Sequence, residues 1–209
     1  MPRRTKQEAL ETKNKILMSA LETFYDRGYT RSSLVDIAER IGLTKGAVYW
    51  HFKNKQDLLM SLAQEMEAKG AAALYGRVTN LNNLADLKHL MVEYGKLFVD
   101  DASFRRYYYV LAFRMEWNED LLCVKELFDK QQEEFTETIV SSLQACRNAG
   151  ELEPLIDVRV AAAGLYAMVD GLIIDAIANT EDAAALPDHI DQTVTIYFRG
   201  LRSPQPDPQ

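Results

Sequence analysis

The stretch TRSSLVDIAERIGLTKGAVYWHFKNK, residues 30–55, decides the fold. It reads as two short helices joined by a tight turn. Ser33 can cap the first helix, and Asp36, three residues on, completes a capping-box pattern. Leu34, Ile37, Ala38 and Ile41 recur at helical spacing and give that helix one apolar face. Gly42 suits the left-handed position just past the helix end. Leu43 is placed to plug the angle between the helices, and Thr44 is an N-cap for the second. Ala47, Val48 and Phe52 supply the inner side of that second helix. Lys45, Gly46, Tyr49 and His51 are left facing outward or along its edges. A short outward-facing helix after a glycine turn is the geometry that enters a DNA major groove.

The residue chemistry suits that role. Gly46 lets a sugar-phosphate approach closely. Tyr49 and His51 can donate hydrogen bonds to phosphate oxygens, and Lys45 can reach a guanine edge or a phosphate. Lys53 and Lys55 add positive charge just beyond the helix, and Lys55 is expected to touch phosphate. The competing reading is a helical hairpin in an ordinary core with solvated lysines.

The run TRSSLVDIAERIGLTKGAVYWHFKNKQDLL resembles the signature of the tetracycline-repressor (TetR) family of bacterial regulators. The N-terminal RRTKQEALETKNKIL resembles the branch typified by repressors of multidrug efflux pumps. The specific match covers roughly the first quarter of the chain, while the rest matches in helical layout and length. The resemblance implies a dimeric, ligand-responsive repressor acting on a palindromic operator. It implies DNA contacts from Arg3, Arg4, Thr30, Ser32, Ser33 and Thr44, and from Lys45, Gly46, Tyr49, Trp50, His51 and Lys55. A TetR-like activator, or a ligand-independent regulator, stays open as the alternative.

The 209 residues allow one large domain or two small ones, with enough chain to bury a proper core. The apolar fraction of 47% is ordinary for a globular protein. No run is read as long enough to span a bilayer and no signal-peptide pattern opens the chain, so a cytoplasmic protein with no membrane partner is expected. Cys123 and Cys146 form neither a disulfide framework nor a metal site, and no cofactor is expected. The net charge of −7 argues against DNA until its distribution is read. Residues 1–55 hold eleven Lys and Arg against six Asp and Glu, whereas residues 56–209 hold thirteen against twenty-five. A basic head on an acidic body directs DNA to the head.

In chain order, Met1 to Lys6 is a basic arm suited to a phosphate backbone or minor groove. Thr5 and Glu8 open a first helix whose stripe is Ala9, Ile16, Leu17, Ala20, Leu21 and Phe24, ending at Gly28. Asn54 caps a fourth helix, striped by Leu58, Leu59, Leu62 and Met66, that links head and body. Asn83 caps a fifth through Val99. FRRYYYVLAFRMEW, from Phe104, carries a sixth and is the most aromatic part of the chain. Asn118 is expected to cap one long helix to Ala149, about 48 Å in length. Asp157 starts VRVAAAGLYAMVDGLIIDAIAN, apolar nearly all round, which needs burial on every side and so a partner subunit. Pro187 opens a ninth helix. The last two helices are expected to build a four-helix homodimer interface through Leu165, Met168, Leu172, Ile173, Ile190, Val194, Tyr197 and Phe198.

The expected fold is therefore all-α, with about nine helices. A three-helix helix-turn-helix head (1–55) precedes a helical ligand-binding and dimerisation body (56–202), and 203–209 is a polar tail. Family resemblance, together with the aromatic and Met-rich body, suggests a pocket for a lipophilic and often cationic effector. Its candidate apolar and aromatic lining is Leu62, Met66, Tyr94, Phe98, Tyr108, Phe113, Trp117, Phe128, Phe135 and Tyr166. Glu67, Glu116 and Asp170 are its candidate charged groups, with Glu93 and Glu134 considered beside them. No phosphate loop, nucleophile elbow or metal-ligand spacing appears, and the three histidines lie on separate elements, so no enzyme is expected.

Overall fold

The computed structural model describes residues 6–78, 81–179 and 183–202. Nine α-helices run along these residues: α1 Lys6–Arg27, α2 Leu34–Arg40, α3 Lys45–His51, α4 Lys55–Tyr75, α5 Leu84–Asp100, α6 Ala102–Phe113, α7 Leu122–Asn148, α8 Val158–Ala178 and α9 Leu186–Leu201. Short 3₁₀ turns occupy Glu119–Leu121 and Ala183–Ala185. Among the described residues the only β-type pairing is one isolated bridge, Leu152 to Arg202.

Contacts divide the chain into two units, and not at residue 55. The first comprises Met1–Lys69 with Ala102–Phe128, the second Gly70–Asp101 with Asp129–Gln209. The first unit shows why three helices alone do not close the head. Ile16, Leu17, Ala20, Leu21 and Phe24 of α1 are buried with Leu34, Ile37 and Ala38 of α2, and with Val48 and Phe52 around α3. The same core takes in Leu58, Leu59, Leu62 and Met66 of α4, Tyr107, Val110 and Leu111 of α6, then Leu121 and Val124. A 55-residue head alone would be marginal; α4, α6 and the start of α7 complete its core.

The second unit packs α5 against α8 and α9. Gly95 makes the α5–α9 approach possible, since a Cβ there would collide with the end of Ile190. Tyr197 of α9 donates its hydroxyl to the Ala161 carbonyl of α8 at 2.8 Å.

Three expectations are corrected. The helix expected from Asn118 to Ala149 does not begin there: the Asn118 side chain makes no capping bond, a 3₁₀ turn intervenes, and α7 has 27 residues. At 1.5 Å per residue that is about 40 Å. Second, α8 is long and apolar enough to cross a membrane by length and composition, although no such run was expected. Leu165, Val169, Ile173 and Ile177 of α8 are buried in the second unit, as in a core helix of a globular protein. Third, Leu165, Ile173, Ile190, Val194 and Phe198 are at most 4% exposed within the single chain. They are core residues and cannot also form a surface for another subunit. Met168, Leu172 and Tyr197 are half-buried.

Candidate functional site

The helix-turn-helix is built from short local bonds. The Asp36 amide donates to Ser33 Oγ at 3.2 Å, and the Ser33 amide donates to Asp36 Oδ2 at 2.8 Å, which closes the capping box. The Ser33 bonds, with Arg27 adding its charge, hold the Asp36 carboxyl below its usual range. Gly42 adopts φ +67, the left-handed turn that a β-carbon would strain. The Leu43 amide donates back to the Ala38 carbonyl at 2.9 Å, and Thr44 caps α3 through the Ala47 amide at 3.2 Å. Val48 is fully buried, which fixes the rotation of α3 about its own axis.

That rotation leaves Thr44, Lys45, Gly46, Tyr49 and Trp50 exposed. Trp50 is 71% exposed, an extreme value for an indole and one that suits a surface waiting for a partner. Lys45 Nζ stands 5.3 Å from the Tyr49 ring centroid. The half-buried His51 ring meets Trp50 edge-on at 4.5 Å. Thr30 and Ser33 are exposed in the turn leading into α2. Arg31, absent from the sequence-derived set, is exposed between them. Its position beside Thr30 was the signal available.

Two residues of the DNA set have other duties. Ser32 is 5% exposed and donates its hydroxyl to the Gly28 carbonyl at 2.7 Å, so it braces the turn from inside. Lys55 is half-buried, and its ammonium faces backbone carbonyls of the same turn. Arg3 and Arg4 lie outside the described residues.

The proposed effector residues separate by unit. In the first, Leu62 and Met66 are core residues. Glu67 lies on α4 beside Tyr107 of α6. The Tyr107 hydroxyl is fully buried, and neither it nor Glu67 Oε1 has a hydrogen-bond partner of good geometry. Burial pushes the Glu67 carboxyl up to about 7, with the nearby Tyr107 hydroxyl only partly opposing it. Burial, then the Glu67 charge, pushes the Tyr107 phenol well above its ordinary value. Tyr108 and Phe128 stand nearby, ring centroids 6.0 Å apart, and Phe128 is 6.1 Å from Tyr107. Tyr107 was not in the sequence-derived set; one tyrosine among three in a row gives no sequence sign that its hydroxyl is orphaned. Phe113 and Trp117 are 45% and 43% exposed, and Glu116 is exposed in the loop after α6. All three are surface residues here, because α6 ends at Phe113 and the chain leaves the core.

In the second unit, Tyr94 meets Phe98 edge-on at 5.4 Å and the tilted Phe135 ring at 4.8 Å, and Phe135 meets Tyr166 at 6.2 Å. Asp170 is half-buried on α8, and burial raises its carboxyl above the usual range. Glu93 is 6% exposed but fully engaged, by Lys96 at 2.6 Å and Arg77 at 3.2 Å. Glu134 is exposed along an open groove of about 750 Å³ that Glu133, Glu137 and Ser141 also line.

An exposed helix after a glycine turn, mounted on a core shared by α1, α2, α4 and α6, defines a helix-turn-helix DNA-binding transcription regulator. Residues 16–62 match the family described as bacterial regulatory proteins, tetR family. Residues 123–199 match the C-terminal region of the BetI-type transcriptional repressor. The probable HTH-type transcriptional regulator ArpR of Pseudomonas putida is 34% identical over 175 residues, covering 83% of each chain. The HTH-type transcriptional regulator TtgR, also of Pseudomonas putida, is 33% identical over the same length and coverage. A crystal structure of NalD, the secondary repressor of the MexAB-OprM multidrug efflux pump in Pseudomonas aeruginosa, superposes with a TM-score of 0.79 at 28% identity, covering 96% of this chain and 100% of that one. The chain belongs to the tetR family of bacterial transcription regulators.

Proposed function

We propose that this regulator is a homodimeric repressor of an efflux operon, released from its palindromic operator by a lipophilic, cationic small molecule. The observation that carries the effector assignment is the Glu67–Tyr107 pair. A half-buried carboxyl without a cation, beside an orphaned hydroxyl and aromatic rings, is costly to the empty protein. A ligand offering a positive charge and an acceptor would relieve both groups. The description of NalD as an efflux-pump repressor supports the operon class.

The dimer surface is the face of α8 and α9 that the chain itself leaves bare. Val160 and Ile196 are each 68% exposed, and Ala163, Gly164, Ala167 and Gly171 form an exposed stripe of small residues along α8. Small residues let two helices approach closely about a two-fold axis. Two recognition helices then need half-sites about 34–36 Å apart, or a multiple. An effector that prefers a dimer with another head spacing weakens DNA binding by its differential affinity for the two forms. A protein acting on chromosomal DNA works in the cytoplasm.

A gel-shift titration on the DNA upstream of the gene, with a panel of lipophilic cations and neutral planar aromatics, tests the reading. Release by cations in the wild type, lost in Glu67→Gln, is the expected result. Specific binding that nothing releases would leave a ligand-independent regulator. In vitro transcription from the same DNA distinguishes a repressor from an activator. Ala167→Glu should convert the dimer to a monomer in sedimentation equilibrium; a persisting dimer would rule out the α8 stripe.

A further inference from the structure

Arg106 and Tyr107 are successive residues of α6 that serve different neighbours. Tyr107 is fully buried in the core of the first unit, beside Glu67 of α4. Arg106 turns to α1. Its Nη1 meets Glu22 Oε1 at 2.7 Å, and its guanidinium carbon stands 5.7 Å from the Tyr25 ring centroid. One turn on, Tyr109 packs on the same Tyr25, ring centroids 4.9 Å apart. Just past the end of α6, the Arg114 carbonyl accepts the Tyr29 amide at 3.0 Å. Residue 22 thus pairs with 106, 25 with 109 and 29 with 114, so α6 lies along the last turns of α1 and the turn that follows it.

What α6 holds is itself tied to the DNA-reading helices. Ser19 Oγ donates to the buried Ile37 carbonyl at 2.9 Å. Arg27 pairs with Asp36 at 2.6 Å, and Arg40 with Asp26 at 2.7 Å. Each of these contacts joins α1 to α2, and α2 carries α3 through the Gly42 turn. A helix moves nearly as one body, because its backbone bonds fix the rise and rotation between neighbouring residues. Close-packed interiors pass such a shift on instead of absorbing it. A rotation or slide of α6 at Tyr107 therefore displaces Arg106 and Tyr109 with it.

We infer that α6 couples the effector site to the head, with Arg106 as its positioning residue: occupation of the Glu67–Tyr107 pair shifts α6, and the Arg106–Glu22 and Tyr109–Tyr25 contacts hand the shift to α1, and so to α2 and α3. The inference rests on the effector reading of Glu67 and Tyr107 and adds the path by which that site acts on DNA binding. The Arg106 and Glu22 side chains are 43% and 32% exposed, so water takes the place of a lost partner and the fold loses little. A contact of this kind joins two helices and can still be reset by a ligand without opening the core.

The test uses the full-length protein, a duplex that the wild type selects from a random-sequence pool, and tetraphenylphosphonium as the lipophilic cation. Coupling is the ratio of duplex affinities without and with saturating cation. The ratio is taken within each variant, so any direct effect of an altered charge on DNA cancels. In the wild type it should be about tenfold or more. Glu22→Arg and Arg106→Glu should each abolish the release while still binding the cation in calorimetry. Combining the two rebuilds the pair in reverse and should restore most of the release. A pair that only supports the fold would not move this ratio. Release undiminished in both single variants, release lost only because the cation no longer binds, or no rescue in the double variant would each overturn the inference. Should a charge reversal fail to fold, Glu22→Gln, which keeps the side-chain volume, gives the same reading.

A wild type that the cation does not release would overturn the effector reading, and one that selects no duplex would overturn the DNA reading. In either case hydrogen exchange in the free protein decides the coupling. Glu67→Gln removes the buried charge, and it should change the exchange rate of the Tyr29 amide by about threefold or more when Arg106 is present, and not in the Arg106→Glu background. An equal change in both backgrounds, or no change in either, would overturn the path through α6.

Discussion

Two regions of this molecule bury a glutamate and treat it in opposite ways. In the second unit, burial alone would raise the Glu93 carboxyl, but the hydrogen bonds and charge of Lys96, with Arg77, hold it below its ordinary range. In the first unit, Glu67 has no cation, and burial lifts it to about 7. The first arrangement is complete, so it stabilises the fold and has nothing left to offer a ligand. The second is incomplete, and incompleteness is what gives a ligand something to gain. The two sites differ in their partners and in how strongly each carboxyl is desolvated.

The sharpest way to break this contrast is Glu67→Gln at two pH values. The folded carboxyl titrates above the unfolded one, so below the ordinary glutamate range both states are protonated and nothing differs. As pH rises toward 7 the unfolded chain ionises first, and the wild type loses stability until the folded group has ionised too. The variant should therefore match the wild type near pH 4 and exceed it by on the order of 2 kcal/mol at pH 8 in urea denaturation. Equal stability at both values would mean that the carboxyl is not strained.

Glu93→Ala should act with the opposite sign, lowering stability by about 1–2 kcal/mol, because Arg77 and Lys96 reach water when released. The wild-type contribution of Glu93 is present above the ordinary glutamate range and fades as pH falls through its lowered value. Next in size is ligand binding. If a cationic effector meets ionised Glu67, its affinity should rise about tenfold from pH 6 to pH 8 by calorimetry, following the ionised fraction of a group near 7. A neutral analogue should show no such rise. The smallest effect is Lys96→Ala, below about 1 kcal/mol in the same denaturation assay, since the lysine is 42% exposed and Arg77 remains.

Much of the first unit was legible from residue order. The capping box at Ser33 and Asp36, the turn at Gly42, the caps at Thr44, Asn54, Asn83 and Asp157, and the inward placing of Val48 and Phe52 are local chemistry, and all are present. What was not legible depends on contacts between distant residues. Lys55 reads in sequence as an outward lysine like Lys45, and only the fold brings the Tyr29 and Ser32 carbonyls to its ammonium across more than twenty residues. Glu67 stood among the candidate pocket residues with Glu93 considered beside it, and residue order did not show that Arg77 would reach one and a tyrosine the other. Periodicity marks α8 and α9 as apolar on a wide arc, but it does not say which part of that arc α5 covers. The side of α8 and α9 that faces the core therefore looks, in sequence, like a side that needs a partner.

The discontinuity of the first unit bears on how the protein is made. A ribosome delivers a chain from its N-terminus, and domains fold as they become complete. The DNA-reading helices have emerged by residue 55, yet the Tyr29 amide waits for the Arg114 carbonyl, and the core waits for Leu121 and Val124. Translation must proceed through more than half of the chain before the nascent head can close. A regulator built this way has no finished DNA-binding module while it is still half synthesised. A product cut short before the sixth helix would leave an open core for proteases, not a ligand-blind competitor for the operator.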